Sequence, residues 1–529
     1  MAPKSSKPQP RSRSPPPRIG RHRDQWGPID VALNLARAIA LEAAPKALED
    51  AMATVASVAS ESGTGKLRLG SICSGSGGGE IGMQVILRVL GMLLPEQATV
   101  GGAAAGDAER SVECAFYCEY IKTKADWMRA NLNPPAIFAN AGYMGDAKTL
   151  DLLSNSFKSI PVFELLLAGF SCKDLSILNN DRTSKSPEIE QVLRKCFVMS
   201  ESEVDAMVKD KKSSTTAVTL SGVLRYIGPY KPRRFVLENV KALAKIIRMI
   251  QEVLAPKGYI TAWIETCPSD LGMPVTRPRV YMVGKFDPSQ VWLAYVGASF
   301  SSGFESLAKQ LVHRVLVSSR ISIENFLFAM DDPTMEYWME QKGLGSALRG
   351  VILRGEDDPI NVEVAWETRH CQIFIDASIP RPSSKQMDDW IKPYCKTKFQ
   401  LDMFMAMPRR CQEIVCFEFK QHVRANPSQV PLARDVSQSL WCQGNFVDKV
   451  SCLTGSSDHW LFEVKTGRKS EMLFRRLLGE EAMSLQGLTR HNFPFMRSKG
   501  ITNHFLMDLA GNAFCVPCLN LALFCLLAH

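Results

Sequence analysis

Residues 67–94 read LRLGSICSGSGGGEIGMQVILRVLGMLL. The first seven form a short apolar run, the last fifteen carry apolar residues at helical spacing, and Gly75, Gly77, Gly78 and Gly79 lie between them. A strand that enters a helix through a glycine turn is half of a βαβ unit, and glycine there lets the backbone turn sharply and approach a ligand closely. The alternation recurs downstream. Strand-like runs CAFYCEY (114–120), ELLLAGF (164–170), RFVLENV (234–240), YITAWIET (259–266) and RVYMVGK (279–285) are separated by amphipathic stretches such as KADWMRANL (124–132). This pattern predicts an α/β fold with a doubly wound, mostly parallel sheet covered on both faces. Ligands of such sheets bind beyond the carboxyl ends of the strands.

The 529 residues suffice for two or three domains, and 46% hydrophobic with 22% charged residues is a globular composition. No uncharged apolar run reaches 18 residues and no apolar leader follows Met1, so neither a membrane span nor a secretory signal is expected. Fifteen scattered cysteines, an odd number, argue for a reducing compartment over a disulfide framework. The C-x-x-C pair Cys515/Cys518 has no second pair at zinc-finger spacing, so packing is expected there and no metal. The net charge is +9, much of it in a run of lysines and arginines from Lys4 to Arg23 opposed only by Asp24. Such a tail suits a polyanionic partner or nuclear import, and equally a solvated terminus; an organelle address is the alternative placement.

Five segments are expected. Residues 1–27 are a Pro/Ser/Arg-rich tail that cannot bury a core, and 28–66 a helical extension rich in alanine. Residues 67–286 form a catalytic and cofactor-binding domain, interrupted by a polar, partly helical insertion over 180–216. Residues 287–465 form a smaller mixed domain, and 466–529 return to the first domain, with helical periodicity resuming in SEMLFRRLLGEEAMSLQGL (470–488).

Chemistry-bearing residues cluster at strand ends. Glu119 closes CAFYCEY, where an acid can take the ribose hydroxyls of a nucleoside. Asp146 lies in the turn GDAKTL, and Cys172 in the loop AGFSCKDLS, where nearby positive charge can activate a thiol. Glu238 and Asn239 end RRFVLENV, and Arg277 and Arg279 alternate along GMPVTRPRVYMVG, so both can face one cleft. Taken singly, each also reads as a cap, a packed thiol or a solvated charge.

Their order resembles the cytosine-5 DNA methyltransferase family. ICSGSGG matches its first block, Gly169, Cys172 and Ser176 its catalytic loop G-x-P-C-Q-x-x-S, ENV its acidic block, and Pro274, Arg277 and Arg279 its P-Q-x-R-x-R. RRLLGEEAMSLQGL and AGNAFCVP, with Gly511 and Asn512, look like its two closing blocks, and 287–465 lies where the family places its target-recognition domain. The resemblance implies an S-adenosylmethionine-dependent methyltransferase fold and methyl transfer to C5 of a flipped-out cytosine. Cys172 would be the nucleophile toward C6, Glu238 the partner at N3, and Arg279 with Arg277 the holders of the base carbonyl or a phosphate. Ser74, Gly75, Gly77, Gly78, Glu119, Asp146, Gly169 and Asn512 would line the S-adenosylmethionine site. DNA is the implied partner, with RNA as the alternative substrate and a non-catalytic nucleic-acid-binding relative as a second. A dinucleotide oxidoreductase would leave ENV, the paired arginines and the Gly-Asn block unexplained.

Departures from the family pattern fall inside the site. Cys73 replaces an aromatic residue, Ser171 a proline, Lys173 a glutamine and Val275 a glutamine. Lys173 is expected to favour the thiolate of Cys172 by its charge. Arg409, Arg410, Lys420, Arg424, Arg468 and Lys469 are candidate nucleic-acid contacts.

Overall fold

The computed structural model describes residues 28–62, 65–73, 75–93, 112–145, 149–176, 182–210, 213–289, 294–318, 321–329, 332–340, 370–392, 395, 398–405, 407–425, 432–437, 446–455, 457–465 and 471–529. The basic tail, Ser74, Asp146, Arg468 and Lys469 lie outside the described residues, as does the side chain of Arg424.

Its centre is a nine-stranded sheet in the order β5-β4-β3-β2-β1-β6-β7-β9-β8. The strands are β1 (Leu67–Ile72), β2 (Val112–Cys118), β3 (Ile137–Phe138), β4 (Leu150–Asp151), β5 (Ser156–Phe157), β6 (Leu165–Ala168), β7 (Arg234–Val240), β8 (Tyr259–Thr266) and β9 (Arg279–Phe286). β3, β2, β1, β6 and β7 run parallel, while β9 inserts antiparallel between β7 and β8. This is the doubly wound, mostly parallel α/β sheet that the alternating pattern predicts, with one reversed strand that the pattern does not show.

The apolar runs are continuous because the middle strands are buried on both faces. Along β6, Leu165 and Leu167 enter one hydrophobic core, and Leu166 and Ala168 the other. The first core is covered by α1 (Pro28–Glu42), α2 (Pro45–Glu61), α3 (Gly78–Leu93), α4 (Lys122–Leu132) and the final helix Val516–Leu527. The second is covered by α5 (Arg182–Lys195), α7 (Thr215–Tyr230) and α8 (Ile247–Leu254). α5 and α6 (Glu201–Lys209) are the helices of the polar insertion, and Ser200 with Glu203 forms a reciprocal cap at the start of α6. Asn503–Leu527, covering the last two helices, is apolar and long enough to cross a membrane, but 89% of its most apolar window is buried inside the fold.

Three sequence expectations move. The helix α9 (Ala294–Ser318), placed with the smaller domain, packs along β8 and against α1 and the final helix, so the catalytic layer continues past residue 286. The segment read as a helix over 470–488 is instead β13 (Glu471–Arg476) followed by a short helix, Gly479–Ser484. Residues 471–476 complete a four-stranded antiparallel sheet, β11-β10-β12-β13, with β10 (Leu432–Asp435), β11 (Phe446–Val447) and β12 (His459–Lys465). Pairing with β12 overrides the local period: Arg475 meets Glu481 (2.6 Å) and Arg476 meets Asp458 (2.5 Å), both pairs buried. The boundary drawn at residue 465 therefore cuts through this sheet. Its sheet and the helices Ser384–Ile391, Lys398–Met405 and Arg409–Ala425 share a third core around Ile391, Phe404, Ile414 and Trp460.

Candidate active site

The chain moves from β1 outward to β2 and β3 on one side and to β6 and β7 on the other, so a crevice opens at the carboxyl ends of β1 and β6. The glycine turn after β1 and the Cys172 loop after β6 border it.

On the β1 side, Gly75 and Gly77 are left-handed, with φ of +51° and +81°. At Gly77 a Cβ would also lie 2.2 Å from Leu132 Cδ1, so only glycine serves. Gly78 opens α3, its N–H directed to Ser76 Oγ (3.3 Å). Cys73, in the place of the family aromatic, is itself left-handed at +57°. Glu119 stands at the end of β2 and accepts from Ile121 N–H (2.9 Å). Burial pushes its carboxyl up; the Ile121 N–H and Lys124 pull it down, and Asp508 pushes it up. Lys124 pairs with Asp508 (2.8 Å), which holds Asn512 Nδ2 (2.8 Å). Asn512 is exposed, with its Cβ 3.6 Å from where a Gly75 Cβ would lie. Glu119, Lys124, Asp508 and Asn512 thus form one polar group beside the glycine turn. The sequence signals for Lys124 and Asp508 are only those of ordinary helix positions.

A buried carboxylate at a strand end beside a left-handed glycine turn fits a nucleoside cofactor, since it offers acceptors for ribose hydroxyls and open backbone for close approach. Glu119, Gly75, Gly77 and Asn512 are the residues that would hold S-adenosylmethionine.

On the β6 side, Gly169 continues β6, its N–H bound to Ile72 O (3.1 Å). A Cβ there would lie 3.5 Å from Cys73 O and 3.6 Å from Glu238 Oε2, so Gly169 joins the two halves of the site. Cys172 follows, partly exposed, and its carbonyl accepts from Leu175 (3.0 Å) and Ser176 (2.9 Å). The loop is fastened at three points. Asn239 Nδ2 donates to Phe170 O (2.8 Å), and Ser171 N–H to Thr219 Oγ1 (3.1 Å). Asp174 accepts from Ser214 Oγ (2.7 Å) and Thr216 N–H (2.9 Å) at the start of α7. Asp174 and Thr219 escape sequence reading because their partners lie 40 or more residues away.

Because β9 is antiparallel to β7, its beginning lies at the carboxyl edge: Val240 pairs with Arg279 and Glu238 with Tyr281. Arg279 Nε lies 3.0 Å from Glu238 Oε1, an ion pair not aligned as a hydrogen bond, so that buried oxygen has no hydrogen-bond partner among the described residues. Burial holds the Cys172 thiol above its ordinary value; Arg279 pulls it down, Glu238 pushes it up, and Arg277 pulls it down. The cation acting most on Cys172 is therefore Arg279 and not Lys173, whose side chain is exposed. Burial works against the charge of Arg279, but Cys452, Glu238 and Cys172 keep its pKa above the ordinary arginine value.

Arg277 does not share this orientation. It is 3% exposed, and its fork donates to the carbonyls of Leu453 (2.5 Å), Gly511 (3.0 Å) and Ala513 (3.0 Å). It clamps its own stretch to two others, around Leu453 and Gly511–Ala513, behind the site. Alternation along an extended stretch suggests a shared face, but Pro278 and the start of β9 lie between the two arginines, and Arg277 precedes the strand.

Of the candidate nucleic-acid contacts, Arg409, Arg410 and Lys420 are also partnered. Arg409 and Arg381 both bond Glu413, which His370 approaches at 2.5 Å; Arg410 donates to Val436 O (2.9 Å), and Lys420 lies over the Trp390 ring.

The family model for C-5 cytosine-specific DNA methylases matches residues 196–313, the stretch that carries Glu238, Arg277 and Arg279. The type II methyltransferase M.DsaV of Dactylococcopsis salina is 24% identical over 192 residues, 35% of this chain and 43% of that protein. The type II methyltransferase M.BsuFI of Bacillus subtilis is 25% identical over 248 residues, 44% of this chain and 49% of that protein. The chain thus spans less than half the length of the curated relatives it matches. The solved methyltransferase EhMeth of Entamoeba histolytica aligns over 87% of this chain and 98% of that chain, with a TM-score of 0.40 and 11% identity. The methyl donor of the matched family is S-adenosylmethionine. Sequence blocks scattered over more than 400 residues meet along one sheet edge, and over residues 196–313 the chain is similar to the C-5 cytosine-specific DNA methylases.

Proposed function

We propose that the protein methylates C5 of cytosine in DNA. The observation that carries this reading is the meeting of Cys172, Glu238 and Arg279 at the carboxyl edge of β6 and β7, beside the Gly75–Gly78 turn and Glu119. Cytosine C5 is a poor nucleophile. Addition of the Cys172 thiolate to C6 forms a C–S bond, displaces the ring electrons toward N3, and leaves C5 enamine-like. Glu238 shares a proton at N3 as charge develops there, and Arg279 offers its fork to the base carbonyl. Arg279 also favours the thiolate, against the burial that disfavours it. Arg277 positions the strand. S-adenosylmethionine, when bound, supplies an electrophilic methyl group. Loss of the C5 proton and cleavage of the Cys172–C6 bond then restore the thiolate and the aromatic ring. A cytosine inside a duplex must first be flipped out, at a cost of a few kcal/mol.

The test is covalent trapping on duplex DNA containing 5-fluorocytosine, with S-adenosylmethionine. Its fluorine blocks the final elimination, so the wild type accumulates a stable adduct and Cys172→Ser does not. Methyl transfer to tRNA alone would replace DNA by RNA as the substrate. Absence of any adduct or transfer would make the chain a binding relative without catalysis. The basic run within residues 1–27 supports nuclear placement, which a fluorescent fusion lacking those residues would lose.

A further inference from the structure

The recognition domain reaches the active centre through one extended segment, Val450–Leu453. Its main chain is stitched to the stretch that leads into β9: Thr276 N–H donates to Val450 O (2.8 Å), and Val450 N–H to Pro274 O (2.8 Å). Leu453 O then accepts from Arg277 Nη1. Between them lies Cys452, half-buried. Its Sγ accepts from Arg279 Nη2 (3.8 Å), while its own S–H points to Leu453 O (3.7 Å). A thiol that donates to a carbonyl and accepts from a guanidinium uses both of its hydrogen-bonding capacities.

The Arg279 fork is thereby held at three corners. Glu238 lies at Nε, Pro278 O accepts from Nη1 (2.9 Å), and Cys452 takes Nη2. Removing the third corner leaves a planar group free to swing about the other two. The buried, unbonded Glu238 Oε1 belongs to the same pocket, which marks it as a place built to meet a further polar group.

Resting on the cytosine-methylation reading, we propose that Cys452 is a positioning residue. It sets the plane of Arg279 beside Cys172 and Glu238, so that seating of the recognition segment orients the cation that base and thiolate meet. A space-filling role would need neither donor nor acceptor at this position. Serine therefore substitutes for Cys452 and alanine does not.

Two measurements on the full chain test this. In adduct formation on 5-fluorocytosine duplex, Cys452→Ala should lower the rate at saturating DNA about tenfold, with the half-saturating DNA concentration unchanged. Cys452→Ser should stay within about twofold of wild type. The second measurement needs no nucleic acid: the pH profile of Cys172 alkylation by iodoacetamide, read by mass spectrometry on the Cys172 peptide. The charged groups around that thiol are Arg279 and Arg277 from the β9 side and Glu238 from β7, with exposed Lys173 adjacent in the chain. Cys452→Ala should move the midpoint upward, and Cys452→Ser should leave it in place. Wild-type behaviour of Cys452→Ala in both measurements overturns the proposal, as does equal failure of both variants. If the wild type forms no adduct on DNA or RNA, the methylation reading fails, and the alkylation profile alone decides the role of Cys452.

Discussion

Replacing Arg277 separates a clamp from a catalytic group. Its guanidinium gives hydrogen bonds to three carbonyls, those of Leu453, Gly511 and Ala513, which lie on two segments remote in sequence from it. Hydrogen bonds from a charged donor contribute about 1.5–3 kcal/mol each, and bonds sharing one group are not additive, so the set contributes roughly 4 kcal/mol. Lysine keeps the charge but cannot reproduce a planar fork reaching three acceptors. Arg277→Lys and Arg277→Met should therefore both destabilise by about 3–5 kcal/mol, lowering the melting temperature by roughly 4 °C. The assay is thermal and urea unfolding of both variants beside wild type. A group that acts only by charge on the substrate would give the opposite pattern: Arg277→Lys melting within about 1 °C of wild type but forming no adduct. That result would refute the clamp.

Ser171→Pro, which restores the family residue, removes the N–H that Thr219 Oγ1 accepts and should cost about 1 kcal/mol in urea unfolding, with no gain in adduct rate. The charges around Cys172 set opposite signs for two variants. Arg279→Gln removes the strongest pull downward and should push the thiol higher, slowing alkylation near neutral pH; Glu238→Gln removes an upward push and should speed it. In the smaller domain, burial pushes the Glu413 carboxyl up, but hydrogen bonds from His370, Arg381 and Arg409 outweigh it and bring it from 4.5 to about 2. A carboxyl lowered on folding stabilises fully above its unfolded value, so this contribution should fade as pH drops from 4.5 toward 2. Acid titration of Glu413→Gln should lack that loss.

Most of the sheet was legible in the chain. Apolar runs of strand length at 67–73, 164–170 and 234–240 announce strands buried on two faces, and residues between them carry the helical period. These are local consequences of burial and survive without knowledge of neighbours. The motif order likewise brought Cys172, Glu238 and the glycine turn under one reading. Three things lay outside local pattern. The reversal of β9 is set by its pairing between β7 and β8, and only that reversal carries Arg279 to the edge where Cys172 stands. The strand at Glu471–Arg476 follows from a ladder to β12 and from ion pairs with Glu481 and Asp458, which outweigh an intrinsic helical period. The division of labour between two arginines two positions apart depends on three carbonyls and one thiol delivered from residues 452–513. Side-chain types and their order are written along the chain, because chemistry and burial act residue by residue. Which charge faces the nucleophile and which is spent on holding the fold was decided by contacts across more than 170 residues, and those exist only once the chain has folded.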